Sequence, residues 1–146
     1  MIDEIHYRAL EKMYIAAPIN EIFKPQITVS KAKAEIAIKI DPAWFHSAGA
    51  VHGSVYFKML DDAAFFAANS IVPEYFVLTA VFTTRLVRPI SSGFMTSIGR
   101  VVKQSGSKII AEAAVYNGRE EKIGSGEGTF LPSKLLLKDA LGYADE

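Results

Sequence analysis

Residues 46–70 read HSAGAVHGSVYFKMLDDAAFFAANS. The stretch begins as a loop with two histidines, and from Gly53 onward it is apolar on almost every side. A helix without a polar face is normally buried, which predicts a central helix over about residues 53–70. Two consecutive carboxylates, Asp61 and Asp62, interrupt this helix. Because an ionised carboxylate is costly to bury without a partner or a shifted pKa, these aspartates need a specific explanation.

The composition limits the class of protein. The chain of 146 residues has the size of one domain, and its 16 basic and 16 acidic residues cancel, so we expect a single domain over residues 1–146 that binds no nucleic acid. The absence of cysteine excludes disulfides and thiolate metal ligands. No apolar run reaches membrane-spanning length, and the N-terminus does not look like a signal peptide. We therefore expect a cytoplasmic protein that does not bind membranes.

The other segments predict a sheet that curls around the central helix. An amphipathic helix over 3–15 belongs to an N-terminal helical extension of about 1–24, and spaced isoleucines predict a strand within 26–40. Short turns between the later segments indicate antiparallel neighbours in a four-strand meander. The fold class is therefore α+β, with a core over about 26–131. The later segments are strands over 76–87, 94–104, 108–116 and 121–131, followed by a C-terminal helix over about 133–141.

Three glycines, Gly124, Gly126 and Gly128, alternate along the last predicted strand. They complete neither a phosphate-binding loop nor a dinucleotide fingerprint. Glycines on one face of a strand instead mark a place where another part of the chain packs very close. We expect the central helix to be that part.

The start of the central helix and its two aspartates are the candidate chemical groups. Lys58 lies four residues before Asp62, so a local ion pair explains Asp62. For Asp61, the apolar surroundings favour a general base or nucleophile with a raised pKa. The backbone N–H of Gly53 opens the helix and can stabilise an oxyanion. Together these groups suit acyl transfer or proton abstraction next to a carbonyl.

The three histidines, His6, His46 and His52, do not have the spacing of a zinc site, so no metal ion is expected. For His52 we favour a structural role with hydrogen bonds to the backbone of the loop. A direct catalytic role of its imidazole is the alternative.

The pattern around the helix resembles that of the hotdog-fold acyl-CoA thioesterases of the PaaI-like (phenylacetate-degradation) type. In that family a loop Asn precedes a His-Gly-Gly sequence, and an Asp follows on the central helix. The resemblance covers roughly residues 26–131. The matching residues are Gly49-x-x-His52-Gly53, Asp61 nine residues after the histidine, Ala63-x-Phe65, Ala68-Asn69-Ser70, Leu86-x-Arg88-Pro89 with Gly93, and Gly126-x-Gly128-Thr129-Phe130.

The resemblance implies a hotdog fold, which is a five-stranded antiparallel sheet around one helix, in homodimers that often pair into tetramers. It implies an active site at the dimer interface that hydrolyses an acyl-CoA to the free acid and CoA, with no cofactor besides the CoA of the substrate. By the same resemblance, Asp61 is the base or nucleophile and the Gly53 N–H is the oxyanion donor. Thr79 stands at the position that helps to hold the water.

Two residues depart from the family pattern: His46 stands at the position of the loop Asn, and Ser54 replaces the second Gly. An imidazole can position groups as an Asn does, and it can also transfer protons. A hydratase or dehydratase that uses His46 with Asp61 is therefore one alternative function, and a non-catalytic acyl-CoA-binding protein is another. Further residues expected to contact the substrate are His52 and Ser54 at the helix start, Arg88 near the CoA phosphates, and Phe57 and Phe65 beside the acyl chain.

Overall fold

The central helix lies against a six-stranded antiparallel sheet, and every strand of that sheet contacts it. A computed structural model describes residues 2–144. The predicted α+β class, with a sheet around one helix, is confirmed. The helices are α1 (Ile2–Ala16), α2 (Asn20–Phe23) and α3 (Gly53–Asn69), and the strands are β1 (Gln26–Ser30), β2 (Lys33–Lys39), β3 (Tyr75–Leu86), β4 (Phe94–Ser105), β5 (Lys108–Tyr116) and β6 (Lys122–Leu136).

Two predictions about the strands are wrong. The segment 26–40 forms two strands because residues 31–32 turn tightly, with Ala32 at φ +58°, so the sheet has six strands instead of five. The strand order is β1-β2-β4-β5-β6-β3, so β3 pairs with β6 and not with β4 as a meander requires. The chain after β3 passes the loop before α3, where the Val51 N–H donates to the Ile90 carbonyl over 2.9 Å. It then enters β4 beside β2.

Helix α3 lies very close to the sheet at Gly99 of β4. A Cβ placed there would lie 2.2 Å from the carbonyl oxygen of Ala63 and 2.6 Å from the Ala64 nitrogen. The glycines of β6 have a different neighbour: at Gly126 and Gly128 a Cβ would overlap the Phe82 ring of β3, at 2.4 and 2.5 Å. The prediction that the central helix packs against these glycines is therefore wrong at both positions.

The predicted C-terminal helix over about 133–141 is also wrong, because β6 runs on to Leu136. The start of β3 pairs with this segment, with Val77 opposite Pro132 and Tyr75 opposite Leu136. The Ser133 hydroxyl donates to the Phe76 carbonyl over 2.5 Å. This pairing outweighs the helix-start signal of Pro132 and Ser133. A short 3-10 turn at Leu137–Asp139 follows.

Helix α1 covers part of the outer edge of β1. The Arg8 guanidinium donates to the Val29 carbonyl over 2.7 Å, and the Val29 N–H donates to the Glu11 carboxylate over 2.7 Å. Ion pairs with Glu4 and Glu11 hold Arg8 in place, at 2.7 and 2.9 Å. The main-chain groups of an edge strand are otherwise open to another strand. Those of Val29 are thereby satisfied within the chain.

A buried asparagine joins the end of α3 to the start of β3. The Asn69 side-chain amide donates to the carbonyls of Val72 and Tyr75 over 3.1 and 3.0 Å, and its oxygen accepts from the Val77 N–H over 3.0 Å. All three of its local partners are thus backbone groups of the turn and of β3. Since Thr79 lies two residues beyond Val77 on the same strand, Asn69 helps to fix where Thr79 stands relative to α3.

Candidate active site

Asp61 faces β3 from the middle of α3, and its Oδ1 accepts a hydrogen bond from the Thr79 hydroxyl over 2.9 Å. The carboxylate is half-buried, and burial raises its pKa from 3.8 to about 6. The negative charge of Asp62 acts in the same direction, whereas the Thr79 hydrogen bond and the positive charge of Lys58 lower the pKa. The pKa of this carboxylate therefore lies near neutral pH, in the range that suits a general base.

Asp61 and Thr79 line a groove of about 610 Å³ between the N-terminal helices, α3 and β3. Its surface is mostly apolar and aromatic. Ser54, Phe57 and Phe65, which the sequence predicts to contact substrate, line the same groove. The lining residues are Met13, Tyr14, Ala17, Ile19, Asn20, Phe23, Ser54, Phe57, Lys58, Asp61, Asp62, Phe65, Phe66, Phe76, Leu78 and Thr79.

Asp62 pairs with Lys58, as the spacing along the helix predicts. The Lys58 ammonium lies 2.5 Å from Asp62 Oδ2, and the Tyr14 hydroxyl donates to the same oxygen over 2.7 Å. Tyr14 is largely buried, and burial raises its pKa well above the usual range, so its hydroxyl stays protonated. The contact of Tyr14 with Asp62 depends on how the first helix docks on α3, which the amphipathic pattern of that helix does not show.

His52 caps the start of α3. Its Nδ1 accepts a hydrogen bond from the Ser54 N–H over 3.1 Å and lies 2.8 Å from the Ser54 hydroxyl. The backbone N–H of His52 donates to the Trp44 carbonyl over 2.9 Å. These are the hydrogen bonds of a structural loop residue. The next N–H, that of Gly53, donates to no acceptor among the residues that the structure describes, so it is available to a ligand at the positive end of the helix.

Gly53, His46 and Arg88 line a second cleft of about 340 Å³, separate from the groove of Asp61. Gly53 and Asp61 are eight residues apart on α3, which corresponds to about 12 Å along the helix axis. Hydrogen bonds span about 3 Å, so one substrate carbonyl cannot contact both groups of the same chain. His46 and Asp61, the pair of the alternative hydratase, also line different hollows within one chain.

The three histidines occupy unrelated environments. His6 is buried between the Asn69 carbonyl, 2.9 Å from its Nε2, and the Tyr143 hydroxyl, 2.7 Å from its Nδ1. His46 is exposed, and its Nδ1 accepts from the Ala48 N–H over 3.1 Å. Across residues 2–144, no three His, Asp or Glu side chains are grouped so that they could hold a metal ion. In the same range, no helix has both the length and the apolarity to cross a membrane.

Sequence comparison places the chain in a family. The model of the Thioesterase superfamily matches residues 48–123, which is just over half of the chain and includes the whole of α3. The chain therefore belongs to the thioesterase superfamily. No curated protein sequence matches it significantly.

Several solved structures share the fold. The E. coli PaaI protein from the phenylacetic acid degradation operon is 15% identical, with a TM-score of 0.84 over 93% of this chain and 99% of that one. A thioesterase family protein from Silicibacter pomeroyi is 24% identical, with a TM-score of 0.77 over 88% and 98%. A conserved protein from Pseudomonas aeruginosa is 19% identical, with a TM-score of 0.75 over 80% and 94%. The predicted hotdog fold, resembling that of PaaI, is thus confirmed.

Proposed function

We propose that this protein is an acyl-CoA thioesterase, which hydrolyses a thioester to a free acid and CoA. The observation that carries the proposal is the half-buried Asp61, whose pKa is raised to about 6 and which is held by Thr79 at the side of an apolar groove. A carboxylate in such a place is suited to activate a water next to an apolar acyl group. Membership of the thioesterase superfamily supports this reaction class.

The proposed reaction is a substitution at the thioester carbonyl. Ionised Asp61 removes a proton from a water that Thr79 helps to hold, and the water oxygen adds to the carbonyl carbon. The carbonyl oxygen becomes an oxyanion, the carbonyl then re-forms as the carbon–sulfur bond breaks, and the leaving CoA thiolate takes up the proton that Asp61 removed from the water. In the alternative route, the Asp61 carboxylate attacks the carbonyl carbon itself, the carbon–sulfur bond breaks with loss of CoA thiolate, and water hydrolyses the resulting anhydride to the free acid and the Asp61 carboxylate. Both routes need a donor for the oxyanion.

We assign the oxyanion donor to the Gly53 N–H of a second copy of the chain. Within one chain Gly53 and Asp61 line different hollows, but a dimer can bring Gly53 of one copy to the Asp61 groove of the other. Strand β3 lies at the edge of the sheet and exposes Leu78, Val81 and Leu86, which is the kind of apolar edge that a second subunit covers. We therefore propose a homodimer, and a dimer of dimers as the larger assembly.

Most of the other residues predicted to contact the substrate line either the groove of Asp61 or the cleft of Gly53. Phe57 and Phe65 line the groove and would contact the acyl group, together with Ser54. Arg88 is exposed beside Gly53, where a guanidinium can bind a CoA phosphate. His46 lies in the same cleft, so its proposed role is to position the substrate near Gly53. We propose that the enzyme uses no cofactor and acts in the cytoplasm.

The test is the release of free CoA thiol from a panel of acyl-CoAs. The chain has no cysteine, so a thiol reagent detects only CoA. Asp61→Asn is expected to lower the rate of release by at least about a hundredfold, while the exposed control Asp139→Asn leaves it unchanged. The wild-type rate is expected to fall as the pH drops below about 6, when Asp61 becomes protonated. An unchanged rate in Asp61→Asn would refute the assignment of the base.

A panel on which the wild type releases no thiol would refute the thioesterase proposal. Hydration of enoyl-CoA would then test the hydratase alternative, and binding without turnover would identify an acyl-CoA-binding protein.

A further inference from the structure

One wall of the groove is formed by residues 13–23, which we call the N-terminal wall. The turn between α1 and α2 is fixed by the Asn20 side chain, which donates to the Tyr14 carbonyl over 2.7 Å. Lys24, at φ +49°, ends α2 directly afterwards. The wall is therefore a built part of the groove and lies outside the sheet. Its lining side chains are those of Met13, Tyr14, Ala17, Ile19, Asn20 and Phe23.

Lys58 attaches this wall to α3. Its ammonium lies 5.0 Å from the centre of the Tyr14 ring and 5.1 Å from that of Phe23, and both distances are typical of cation–π contacts. The Phe23 ring also packs on Trp44, with centroids 4.8 Å apart. Phe23 is thus held between α3 and the segment after β2. A ring held from two sides sets a firm limit to the space in the groove.

The charges of the groove disfavour an anionic acyl group. Asp62 holds Lys58 at 2.5 Å, so that the lysine charge is already compensated. The three ionised groups of the lining, Lys58, Asp61 and Asp62, sum to one negative charge. A carboxylate at the far end of an acyl chain would meet no free cation there and would be repelled.

We propose that the N-terminal wall determines acyl specificity: Phe23 limits the length of the acyl group, and the Lys58–Asp62 pair restricts the substrate to uncharged acyl groups. This inference rests on the proposed thioesterase function. It assigns the acyl group, and not the CoA part of the substrate, to the wall. Each methylene that is buried against the wall contributes about fourfold to kcat/KM, until the chain reaches Phe23.

The test compares Phe23→Ala and Phe23→Leu with Ile22→Ala, a control on the same short helix whose side chain is 61% exposed and does not line the groove. kcat/KM is measured for saturated straight-chain acyl-CoAs of increasing length. Phe23→Ala is expected to move the optimum to longer chains and to raise kcat/KM beyond the wild-type optimum by about tenfold. Phe23→Leu shifts it less, and Ile22→Ala leaves the profile unchanged. A uniform change in KM at all chain lengths would place the CoA part against the wall and overturn the inference.

A second variant tests whether the Lys58–Asp62 pair restricts the substrate to uncharged acyl groups. Asp62→Asn removes the ion-pair partner of Lys58 and brings the sum of the three charges in the groove lining from −1 to zero. The ratio of kcat/KM for an acyl-CoA with a terminal carboxylate to that for the uncharged acyl-CoA of equal length is expected to rise about tenfold or more. An unchanged ratio would refute the role of the pair.

Binding separates this inference from the reaction itself. S-alkyl-CoA thioethers cannot be hydrolysed, so their affinities for the same variants are measured by calorimetry. A length optimum that Phe23→Ala shifts, in a protein that releases no thiol, would support the wall and refute hydrolysis. Thiol release with the same length profile in wild type and Phe23→Ala would refute the wall and leave the thioesterase proposal standing. Affinities that do not depend on alkyl length would also refute the wall.

Discussion

Asp61 affects the stability of the fold as well as the proposed reaction. Its pKa is about 6 in the folded chain and 3.8 when freely exposed, so the native state binds this proton more tightly than the unfolded state. The contribution of Asp61 to stability therefore falls as the pH rises from about 4 to about 6. The difference between the two pKa values corresponds to at most about 3 kcal/mol.

Replacing Asp61 by Asn is expected to stabilise the protein at pH 8, because it removes a buried charge and keeps an acceptor for Thr79. The gain in the free energy of unfolding by urea is expected to be about 1–3 kcal/mol at pH 8 and to shrink toward zero near pH 4. Asp139→Asn, at an exposed position, serves as the control. Equal stability of Asp61→Asn and wild type at pH 8 would contradict the burial of the charge.

Single residues differ in how far the sequence predicts their contacts. The Lys58–Asp62 pair depends only on helical spacing, and the sequence predicted it. The Thr79 position came from the family resemblance, because no local pattern links a strand residue to Asp61. The contacts of Tyr14 and Phe23 with Lys58 were not predicted, since they depend on where the N-terminal helices dock.

At the scale of elements, the separation of α3 from β4 is set by Gly99. Gly99→Ala would bring its Cβ within 2.2 Å of the Ala63 carbonyl oxygen, and because the obstacle is backbone, α3 and β4 must move apart. We expect a loss of about 1–3 kcal/mol in the free energy of unfolding. Gly118→Ala, where a Cβ meets nothing within 4 Å, is the matched control and is expected to be nearly neutral. Denaturation curves in urea check both, and equal stability of the two variants would contradict the close contact.

The element most completely predicted was α3, because a helix that is apolar on almost every side stands out in the sequence, and its predicted range of about 53–70 agrees with Gly53–Asn69. Strand pairing was less predictable. The short connection after β3 looks like a hairpin turn in sequence, but it leads to β4 beside β2, on the other side of the sheet, and turn length alone does not reveal such a crossover. The end of β6 carried a helix signal that the partner strand β3 overrides. Both the crossover after β3 and the length of β6 depend on pairing between strands that are far apart in the sequence, and a short stretch of sequence does not show such pairing.

At the scale of the whole molecule, β3 is the edge at which a second copy is expected to pair. Val81 is 61% exposed on this strand and does not line the groove. Val81→Lys places like charges at a two-fold edge contact, so we expect the dimer to weaken by about 1 kcal/mol or more and thiol release to fall with it. Val102→Lys, at a site 54% exposed on β4, is the control. Light scattering and turnover are measured at falling protein concentration. A dimer that persists unchanged in Val81→Lys would exclude this edge.

Arg8 and Glu11 satisfy the backbone of Val29, so the β1 edge is less open to a further strand than the β3 edge. A sheet with two open edges can add copies without end, as a fibre does. Here helix α1 covers the edge of β1 at Val29, and the proposed pairing through β3 would occupy the opposite edge of the sheet. Edge-to-edge association through β3 would then be expected to stop at two copies. We therefore expect α1 to block the addition of another strand at Val29, and loss of the Arg8 and Glu11 side chains to open this part of the edge.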